Sequence, residues 1–344
     1  MDLPVFWYAV TVLAWVLFFV LEGFDFGVGF LGPLLGRTEA ERGAAVRTVG
    51  PVWDGNEVWL VAAIGVTFAA FPDWYAALLS GLYLPMIALL LLLAVRGVAI
   101  EFRGKHDTAT WRRRCDAALA TSSLLLAGTW GAVLGVLVSG LALSADGEVH
   151  VDGWGGGLGR SLEPLFGPWA VLGGFAGVLL TTVHGATFLS LRTTGVLRER
   201  ARRLTVATAP ALTVVALALF IAAGHAAVAG VAALLALAAV AAWRRSEALA
   251  FAATTLAVAG TVVAVFTAHL GQGSFVLLRS TLSPAGDVTL RAAAASDGAL
   301  QLITVAGLVI LPGVIAYQAW SYWVFRRRVA TGFPAARRRV RVGR

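Results

Sequence analysis

The sequence predicts an all-α polytopic membrane protein, and its composition and hydropathy pattern carry that prediction. Of its 344 residues, 59% are hydrophobic and only 13% are charged, and the mean hydropathy is +0.82. A soluble domain of this length could not bury so much apolar surface. The apolar residues also form continuous stretches of about 20 residues, the length of a helix that crosses a bilayer. A membrane β-barrel would instead alternate in polarity.

Nine apolar stretches can be marked along the chain. The predicted spans are 4–33, 52–71, 74–100, 117–143, 165–191, 205–223, 226–243, 247–270 and 300–325. Only Gly224 and His225 separate the sixth span from the seventh, so these two must form a tight hairpin if both cross the membrane. We expect one integral-membrane domain over residues 1–344 that ends in a basic tail, 326–344.

The placement of the basic residues predicts the orientation. With nine spans, 23 of the 27 lysines and arginines fall in the tail or in loops on one side of the membrane. Basic loops mark the cytoplasmic side, so we expect the N-terminus outside and the C-terminus in the cytoplasm. The net charge of +8 therefore reflects topology rather than nucleic-acid binding. The run Arg337–Arg341 is interpreted as an anchor to anionic lipid.

The two longer loops on the outer side have no periodic pattern. Residues 144–164 and 271–299 are rich in Gly or Ala, which predicts coil with short helices. The glycine-rich run Gly153–Gly157 does not indicate a phosphate loop, because no strand precedes it. The one cysteine, Cys115, excludes an internal disulfide. The first apolar run, Val5–Phe30, is too long for a signal peptide and contains acids.

Ionisable side chains interrupt the first two spans at a regular spacing. The first span contains Glu22 and Asp25, and the second contains Asp54 and Glu57 with Asn56 between them. A spacing of three residues places each pair on one helix face. The two spans run in opposite directions and a short loop joins them, so both pairs should lie at a similar depth near the cytoplasmic side. Charges inside a bilayer are costly and mark functional sites, which makes these side chains a candidate proton or cation path.

Structural roles for the same acids stay open. Asp54 lies in the first turn of a predicted helix, where a carboxylate can cap free N–H groups and meet the helix dipole. Glu22 or Asp25 could pair with Arg96 of the third span. Arg96 and Glu101 are five residues apart, so we expect them to have separate partners. On the other hand, carboxyl groups in an apolar environment can exchange protons near neutral pH, which suits a relay.

A histidine in the fifth span also admits several roles. His184 could ligate haem, belong to a relay or be a hydrogen-bonded packing residue, and the last two are favoured because no second histidine shares its level. A b-type cytochrome that used His184 and His269 would need both at one depth. They lie toward opposite faces of the membrane in the predicted topology.

Several motifs closely resemble subunit II of the bacterial cytochrome bd quinol oxidases. They are Leu21–Gly29, Gly50–Leu60, Phe71–Ala76, Arg96–Arg103, Trp111 with Asp116, His184–Leu189 and Tyr317–Trp323. The match is dense in the first third of the chain, and spans six to eight match in hydropathy and order alone. The predicted nine-span topology with a cytoplasmic C-terminus is also that of the family.

The resemblance implies a subunit of a quinol:dioxygen oxidoreductase that is not active alone. It implies a heterodimer with a haem-bearing subunit I in the bacterial cytoplasmic membrane, in which this chain gives structural support and supplies protons. The haems, of types b and d or with a third haem b, are expected in subunit I, and this chain is expected to ligate none of them. Small accessory single-span subunits and a quinone bound like a lipid are compatible with this prediction.

The resemblance also places the proton path. It assigns the family's proton-uptake aspartate to Asp54 and puts Asp25 next to it, with Glu57, Asn56 and Glu22 alongside. The predicted supporting residues are Trp53, Arg96, Glu101 and His184. The alternative function is a secondary transporter coupled to protons or cations. Such folds often show inverted repeats and helices broken at the midplane, whereas here the acids lie near one face and no repeat is visible.

Overall fold

A computed structural model describes residues 2–150, 157–223, 226–270 and 275–330, and in these residues the chain is almost wholly helical. The α-helices are α1 Leu3–Leu35, α2 Glu39–Val49, α3 Trp53–Ala70, α4 Pro72–Gly81, α5 Tyr83–Phe102, α6 Ala109–Ser139, α7 Gly157–Leu162, α8 Pro168–Arg192, α9 Gly195–Ala223, α10 Ala226–Trp243, α11 Glu247–Phe266, α12 Leu290–Ala293 and α13 Asp297–Val324. Two short antiparallel strands, β1 Val276–Leu278 and β2 Val288–Thr289, complete the fold. The all-α prediction is confirmed.

Seven of these helices are long and apolar enough to cross a membrane, namely α1, α5, α6, α8, α9, α11 and α13. The apolar part of α10, Ala227–Trp243, is shorter. Helix α3 has 18 residues and begins with the polar segment that contains Asp54 and Glu57. Each predicted span thus contains a helix, while the number of crossings, nine, stays a prediction. The turn at Gly224 and His225, the run Gly153–Gly157 and the basic tail from residue 331 lie outside the described residues.

The predicted span 74–100 is covered by two helices rather than by one. Helix α4 ends at Gly81, and α5 begins at Tyr83 after the non-helical residue Leu82. Pro85 explains the break, because it has no N–H to bond the carbonyl of Gly81 and its ring would collide with that carbonyl. Two other helices begin earlier than predicted, since α6 and α9 extend into the basic segments before their apolar stretches.

Helix α1 is central, and it packs against α3, α6, α8 and α11. Its contact with α8 depends on two glycines. A Cβ on Gly27 would lie 2.2 Å from the carbonyl oxygen of Thr181, and a Cβ on Gly185 would lie 2.6 Å from Gly27. Side chains at either position would force the helices apart, so the sequence permits this approach only through glycine.

Helices α6 and α8 also pack closely through glycines, and here four glycines take part. Gly131 and Gly135 of α6 face Gly173 and Gly177 of α8, and each pair has the small-xxx-small spacing that brings membrane helices close together. A Cβ on Gly131 or on Gly173 would lie 2.3 Å from a carbonyl oxygen of the opposite helix. Helices α1, α6 and α8 therefore form a rigid core.

The end of the bundle that carries the N-terminus is closed by short elements. Strand β1 pairs with β2, Leu141 pairs with Ser280, and Arg291 forms an ion pair with Asp2 at 2.6 Å. The prediction of coil with short helices is thus incomplete, because the loop after α11 contains a strand pair.

The opposite end, where the basic loops lie, is held together by ion pairs. Arg103, at the end of α5, contacts Asp116 at 2.6 Å and Glu39 at 2.9 Å. Helix α2 begins with a capping box in which Glu41 accepts from the backbone N–H of Thr38, and Glu41 also contacts Arg200 at 2.8 Å. These contacts fix the loop between α1 and α3.

Candidate functional site

Three carboxyl groups surround one arginine in the interior of the bundle. A nitrogen of Arg96 lies 3.0 Å from Glu22, another lies 3.5 Å from Asp25, and the third contact, to Glu57, is 3.6 Å long. The side chains of Arg96, Glu22 and Asp25 are fully buried, while Glu57 is 28% exposed. We call these four residues, together with Asn56, the charge cluster.

The cluster is formed by residues of three helices, and the sequence spacing places two of its acids on one face of α1. Glu22 and Asp25 are three residues apart on α1, Asn56 and Glu57 lie in the second turn of the neighbouring α3, and Arg96 comes from α5. The Arg96 guanidinium also lies 5.2 Å from the centre of the Phe26 ring, an attractive cation–π arrangement. The predicted alternative of ion pairing is therefore realised, since Arg96 contacts both acids of the first span.

Electrostatic attraction, rather than aligned hydrogen bonding, holds Arg96 to its acids. Among the described residues, none of the three guanidinium nitrogens of Arg96 and neither oxygen of Glu22 has a hydrogen-bond partner of good geometry. One positive charge faces three groups that can each be negative, in a region where unpaired charge is expensive. Such an excess of acids is relieved when a carboxyl group takes up a proton.

Asn56 connects the cluster to the last helix. Its Nδ2 donates to Asp25 Oδ2 at 2.8 Å, and its Oδ1 accepts from Gln318 Nε2 at 3.0 Å and from the Tyr322 hydroxyl at 2.7 Å. Sequence reasoning missed Gln318 and Tyr322. The available signal was their spacing of four residues, which places two polar side chains on one face of an apolar helix.

Asp54 lies outside the cluster, one turn before Glu57. It is exposed in the first turn of α3, and the N-cap of that helix is Val52, with no side-chain cap hydrogen bond. The predicted cap hydrogen bond is therefore wrong, while the predicted place of Asp54 in the first turn, near the positive end of the helix dipole, is confirmed. Beside it, the indole Nε1 of Trp53 donates to Glu101 at 3.4 Å, so Glu101 and Arg96 have separate partners as expected.

His184 is a buried, hydrogen-bonded packing residue. Its Nε2 lies 3.0 Å from the carbonyl oxygen of Val20 and its Nδ1 lies 2.9 Å from the hydroxyl of Thr254, while its ring stacks on Phe251. A carbonyl oxygen can only accept, so Nε2 carries the proton and Nδ1 is left as an acceptor beside the Thr254 hydroxyl, which also donates to the carbonyl oxygen of Phe251. Both ring nitrogens are therefore occupied, which leaves neither free for haem iron. His184 joins α1, α8 and α11.

The fold and the cluster together define a class of protein. The chain is a multi-pass helical membrane protein that keeps three carboxyl groups and one arginine in its interior and exposes an acid, Asp54, one turn away. Buried ionisable groups in membrane helices are expensive and typically serve proton or ion movement.

Comparison with known proteins identifies the family. Residues 3–325 match the family described as cytochrome bd terminal oxidase subunit II, and the chain belongs to that family. It is 36% identical over 338 residues to cytochrome bd ubiquinol oxidase subunit 2 of Bacillus subtilis, covering 94% of this chain and 96% of the relative. It is 28% identical over 367 residues to cytochrome bd-I ubiquinol oxidase subunit 2 of Escherichia coli, covering 94% of both chains.

A solved structure of bd oxidase from Geobacillus thermodenitrificans has the same fold. The TM-score is 0.65 at 19% identity, over 94% of this chain and 99% of the matched one. The chain is thus the second subunit of a cytochrome bd-type oxidase, a component of an oxidoreductase complex with a subunit I partner. The predicted family is confirmed, and the transporter alternative is excluded by it.

Proposed function

We propose that this chain conducts protons to the haem-bearing subunit I of an oxidase that oxidises membrane quinol and reduces dioxygen to water. Each dioxygen consumes four protons and four electrons, and two quinols supply the electrons. The haems, of types b and d or with a third haem b, supply the oxygen chemistry when they are bound in subunit I. The residues of this chain hold and move protons, and the chain alone is inactive.

The observation that carries the proposal is the position of the charge cluster. Asp54 is exposed at the start of α3, Glu57 is partly exposed one turn on, and Asp25 and Glu22 are fully buried beyond it. Arg96 contacts all three acids of the cluster, so it can stabilise a negative charge on whichever carboxyl group has given up its proton. A proton taken up at Asp54 thus has a sequence of acceptors that ends at Asp25.

The topology that serves this route has nine crossings, with the N-terminus outside and the C-terminus in the cytoplasm. The basic loops, the capping box of α2 and the start of α3 lie at one end of the bundle, and positive loops favour the cytoplasmic side. Asp54 therefore faces the cytoplasm of a bacterial cell membrane. In this arrangement the chain is a single membrane domain whose basic tail binds anionic lipid headgroups. Small accessory single-span subunits can bind to it.

Subunit I docks on α13 in this proposal. Only 6% of the apolar part of α13 is buried, against 28–61% for the six other long apolar helices. The hydrogen bonds from Asn56 to Gln318 and Tyr322 lead from the cluster to this helix. A cysteine at the exposed Val309 should crosslink to subunit I, whereas one at the similarly exposed Val214 of α9 should not. If the cysteine at Val214 crosslinked and the one at Val309 did not, the interface would lie on α9 instead.

A quinone bound like a lipid would enter an apolar recess beside the middle of α1, and this recess, at about 40 Å³, has to widen to hold a quinone ring. The recess is lined by aromatic residues that include Trp15, Trp74, Trp130 and Phe266. The buried Nε1 atoms of Trp74 and Trp130 have no hydrogen-bond partner among the described residues, so they are available to a quinone oxygen. Mass spectrometry of a solvent extract should find quinone in the parent complex and less in Trp130→Phe. Equal amounts in both would contradict this site.

The proton route is tested with carboxamide variants of the assembled oxidase in proteoliposomes. Asp25→Asn and Asp54→Asn keep the shape of the side chain and remove its exchangeable proton. We expect each to lower quinol-driven oxygen consumption by at least about a hundredfold, the lower range for lost acid–base groups. Asp73→Asn is the matched control, because Asp73 is also an exposed acid in the first turn of a helix, α4, but lies beyond the far end of α3.

The control should retain turnover within about twofold of the parent, since a solvent-exposed acid away from the route contributes no proton transfer. Haem content and the yield of subunit I are measured in parallel, so that an assembly defect is distinguished from slow chemistry. Full turnover in Asp25→Asn with a normal haem spectrum would refute the route.

A further inference from the structure

The orientation of the Asn56 amide is fixed by two donors from α13. Asn56 is fully buried, and its Oδ1 accepts from both Gln318 Nε2 and the Tyr322 hydroxyl. A carboxamide oxygen has two lone pairs, and both are therefore used. The amide nitrogen is left to face Asp25, to which it donates at 2.8 Å.

A rotation of this amide by half a turn would reverse every one of these contacts. The amide oxygen would then meet the Asp25 carboxylate, and the amide nitrogen would find acceptors only if Gln318 turned its own amide and Tyr322 turned its hydroxyl hydrogen elsewhere. Both changes are unfavourable, so the three hydrogen bonds support one another. Without Gln318 and Tyr322, only Asp25 itself would select the orientation of Asn56.

Gln318 and Tyr322 belong to the narrow stripe by which α13 packs on the bundle. The positions of α13 that are at least partly buried follow a spacing of three or four residues and include Leu300, Ile303, Thr304, Gly307, Leu311, Val314, Gln318 and Tyr322. At the N-terminal end of this stripe, Trp7 of α1 donates to Thr304 at 3.0 Å. At its C-terminal end, the contacts to Asn56 are the polar attachment to α3.

We propose that Gln318 and Tyr322 are positioning residues that hold Asn56 as a donor to Asp25, so that the seating of α13 sets how tightly Asp25 holds its proton. This inference rests on the proposed proton route. A donor to the carboxylate favours its ionised form, and the loss of that donor favours the protonated form. Movement of α13 away from α3 would thus make Asp25 keep its proton to a higher pH.

The other groups that face Asp25 stay unchanged when α13 is altered. Arg96 of α5 lies 3.5 Å away, Glu22 is one turn back on α1, and Glu57 of α3 shares the same guanidinium. On α8, the nearby His184 bonds to Val20 and Thr254 instead. The α13 contacts can therefore be removed without touching the ion pairs of the cluster.

The test uses the assembled oxidase with the double substitution Gln318→Leu and Tyr322→Phe, both close in size to the parent side chains. We expect the acidic limb of the pH profile of turnover to move to higher pH by about 0.5–1 unit, the shift that one hydrogen bond to a carboxylate can cause. Tyr322→Phe alone keeps the Gln318 donor and should give a smaller shift. Tyr83→Phe, at an exposed position at the start of α5, should give none.

A second readout does not depend on turnover. The infrared carbonyl band of the protonated carboxyl group that Asp25→Asn abolishes should titrate at higher pH in the double variant than in the parent. An unchanged band and an unchanged pH profile in the double variant would overturn the positioning role. If the double variant does not assemble, the same comparison is made with Tyr322→Phe, and an unshifted band there counts against the role.

The two ideas fail in different ways. If Asp25→Asn itself retains full turnover, the proton route is wrong, whatever α13 does. If Asp25→Asn is slow but the double variant titrates like the parent, the route stands and the positioning role is refuted.

Discussion

Removal of the one cation of the charge cluster gives the sharpest prediction about stability. Arg96→Leu leaves Glu22 and Asp25 fully buried without their counter-charge at 3.0 and 3.5 Å, and Glu57 without it at 3.6 Å. Breaking a buried ion pair by removal of one partner costs about 3–5 kcal/mol. The acids can limit this cost by binding protons. For every proton that the folded state binds and the unfolded state does not, the unfolding free energy rises by roughly 1.4 kcal/mol per unit decrease in pH.

The variant should therefore lose about 3–5 kcal/mol of unfolding free energy at pH 8 and recover part of it at pH 6. The sign follows from linkage, because a folded state that binds more protons than the unfolded state becomes more stable as the pH falls. SDS titration of the purified complex, followed by tryptophan fluorescence, measures the free energy at both pH values. The exposed Arg113→Leu is the control and should change it by less than about 0.5 kcal/mol.

Restoration of the charge balance provides a further check on the same reasoning. Adding Glu22→Gln to Arg96→Leu removes one of the stranded acids, so the double variant should be more stable at pH 8 than Arg96→Leu alone, by about 1–3 kcal/mol. If Arg96→Leu were as stable as the parent at pH 8 and showed no pH dependence, the carboxyl groups would not carry charge that Arg96 compensates. The electrostatic account of the cluster would then be wrong.

Two further predictions concern the packing of α1 and the loop that follows it. Gly27→Leu should abolish folded complex in fluorescence-detected size exclusion, because even a Cβ at Gly27 would lie 2.2 Å from a carbonyl oxygen, whereas Gly65→Ala, with open space, should fold normally. Burial raises the pKa of Glu41, but hydrogen bonds from Arg37, Arg200 and Thr38 outweigh it and hold the pKa below its usual 4.5. The stabilisation by Glu41 is therefore present above pH 4.5 and lost as the pH falls through the lower folded value. Thermal melts of Glu41→Gln should show a loss of about 1 kcal/mol at pH 7 that becomes smaller below pH 4.5.

Much of the fold could be predicted because hydropathy constrains membrane helices so strongly. Every predicted span contains a helix, and the acids at spacing three do share a face. The break at Leu82 was not predicted, although Pro85 signals it, because the apolar run continues through both helices. Helices α6 and α9 extend beyond the predicted spans into charged segments, where the Thr108 cap of α6 and the Arg202–Glu199 ion pair of α9 support them.

Only the contacts of the site between residues close together in the sequence could be predicted. The sequence brings Glu22 and Asp25 together by spacing, and the short loop to α3 brings Asn56 and Glu57 to the same level. Gln318 and Tyr322 are about 260 residues further along the chain, and their contact with Asn56 depends on the register of α13 against α3. The spacing of Gln318 and Tyr322 indicates a polar face of α13, but no local pattern identifies Asn56 of α3 as the partner of that face.

The choice of arginine at the centre of the cluster unites its structural and functional roles. A guanidinium is planar and always charged, and its separate nitrogens can face several carboxyl groups at once, which a single ammonium cannot do. Arg96 thus joins acids of α1 and α3 from its place on α5 and ties three helices at one point. Because it brings one positive charge to three acids, the same contact that stabilises the bundle leaves carboxyl groups that have no second cation among the described residues and can be neutralised by a proton. We therefore expect Arg96→Lys to retain more stability than Arg96→Leu but to lose turnover, since a point charge cannot compensate Glu22, Asp25 and Glu57 in turn.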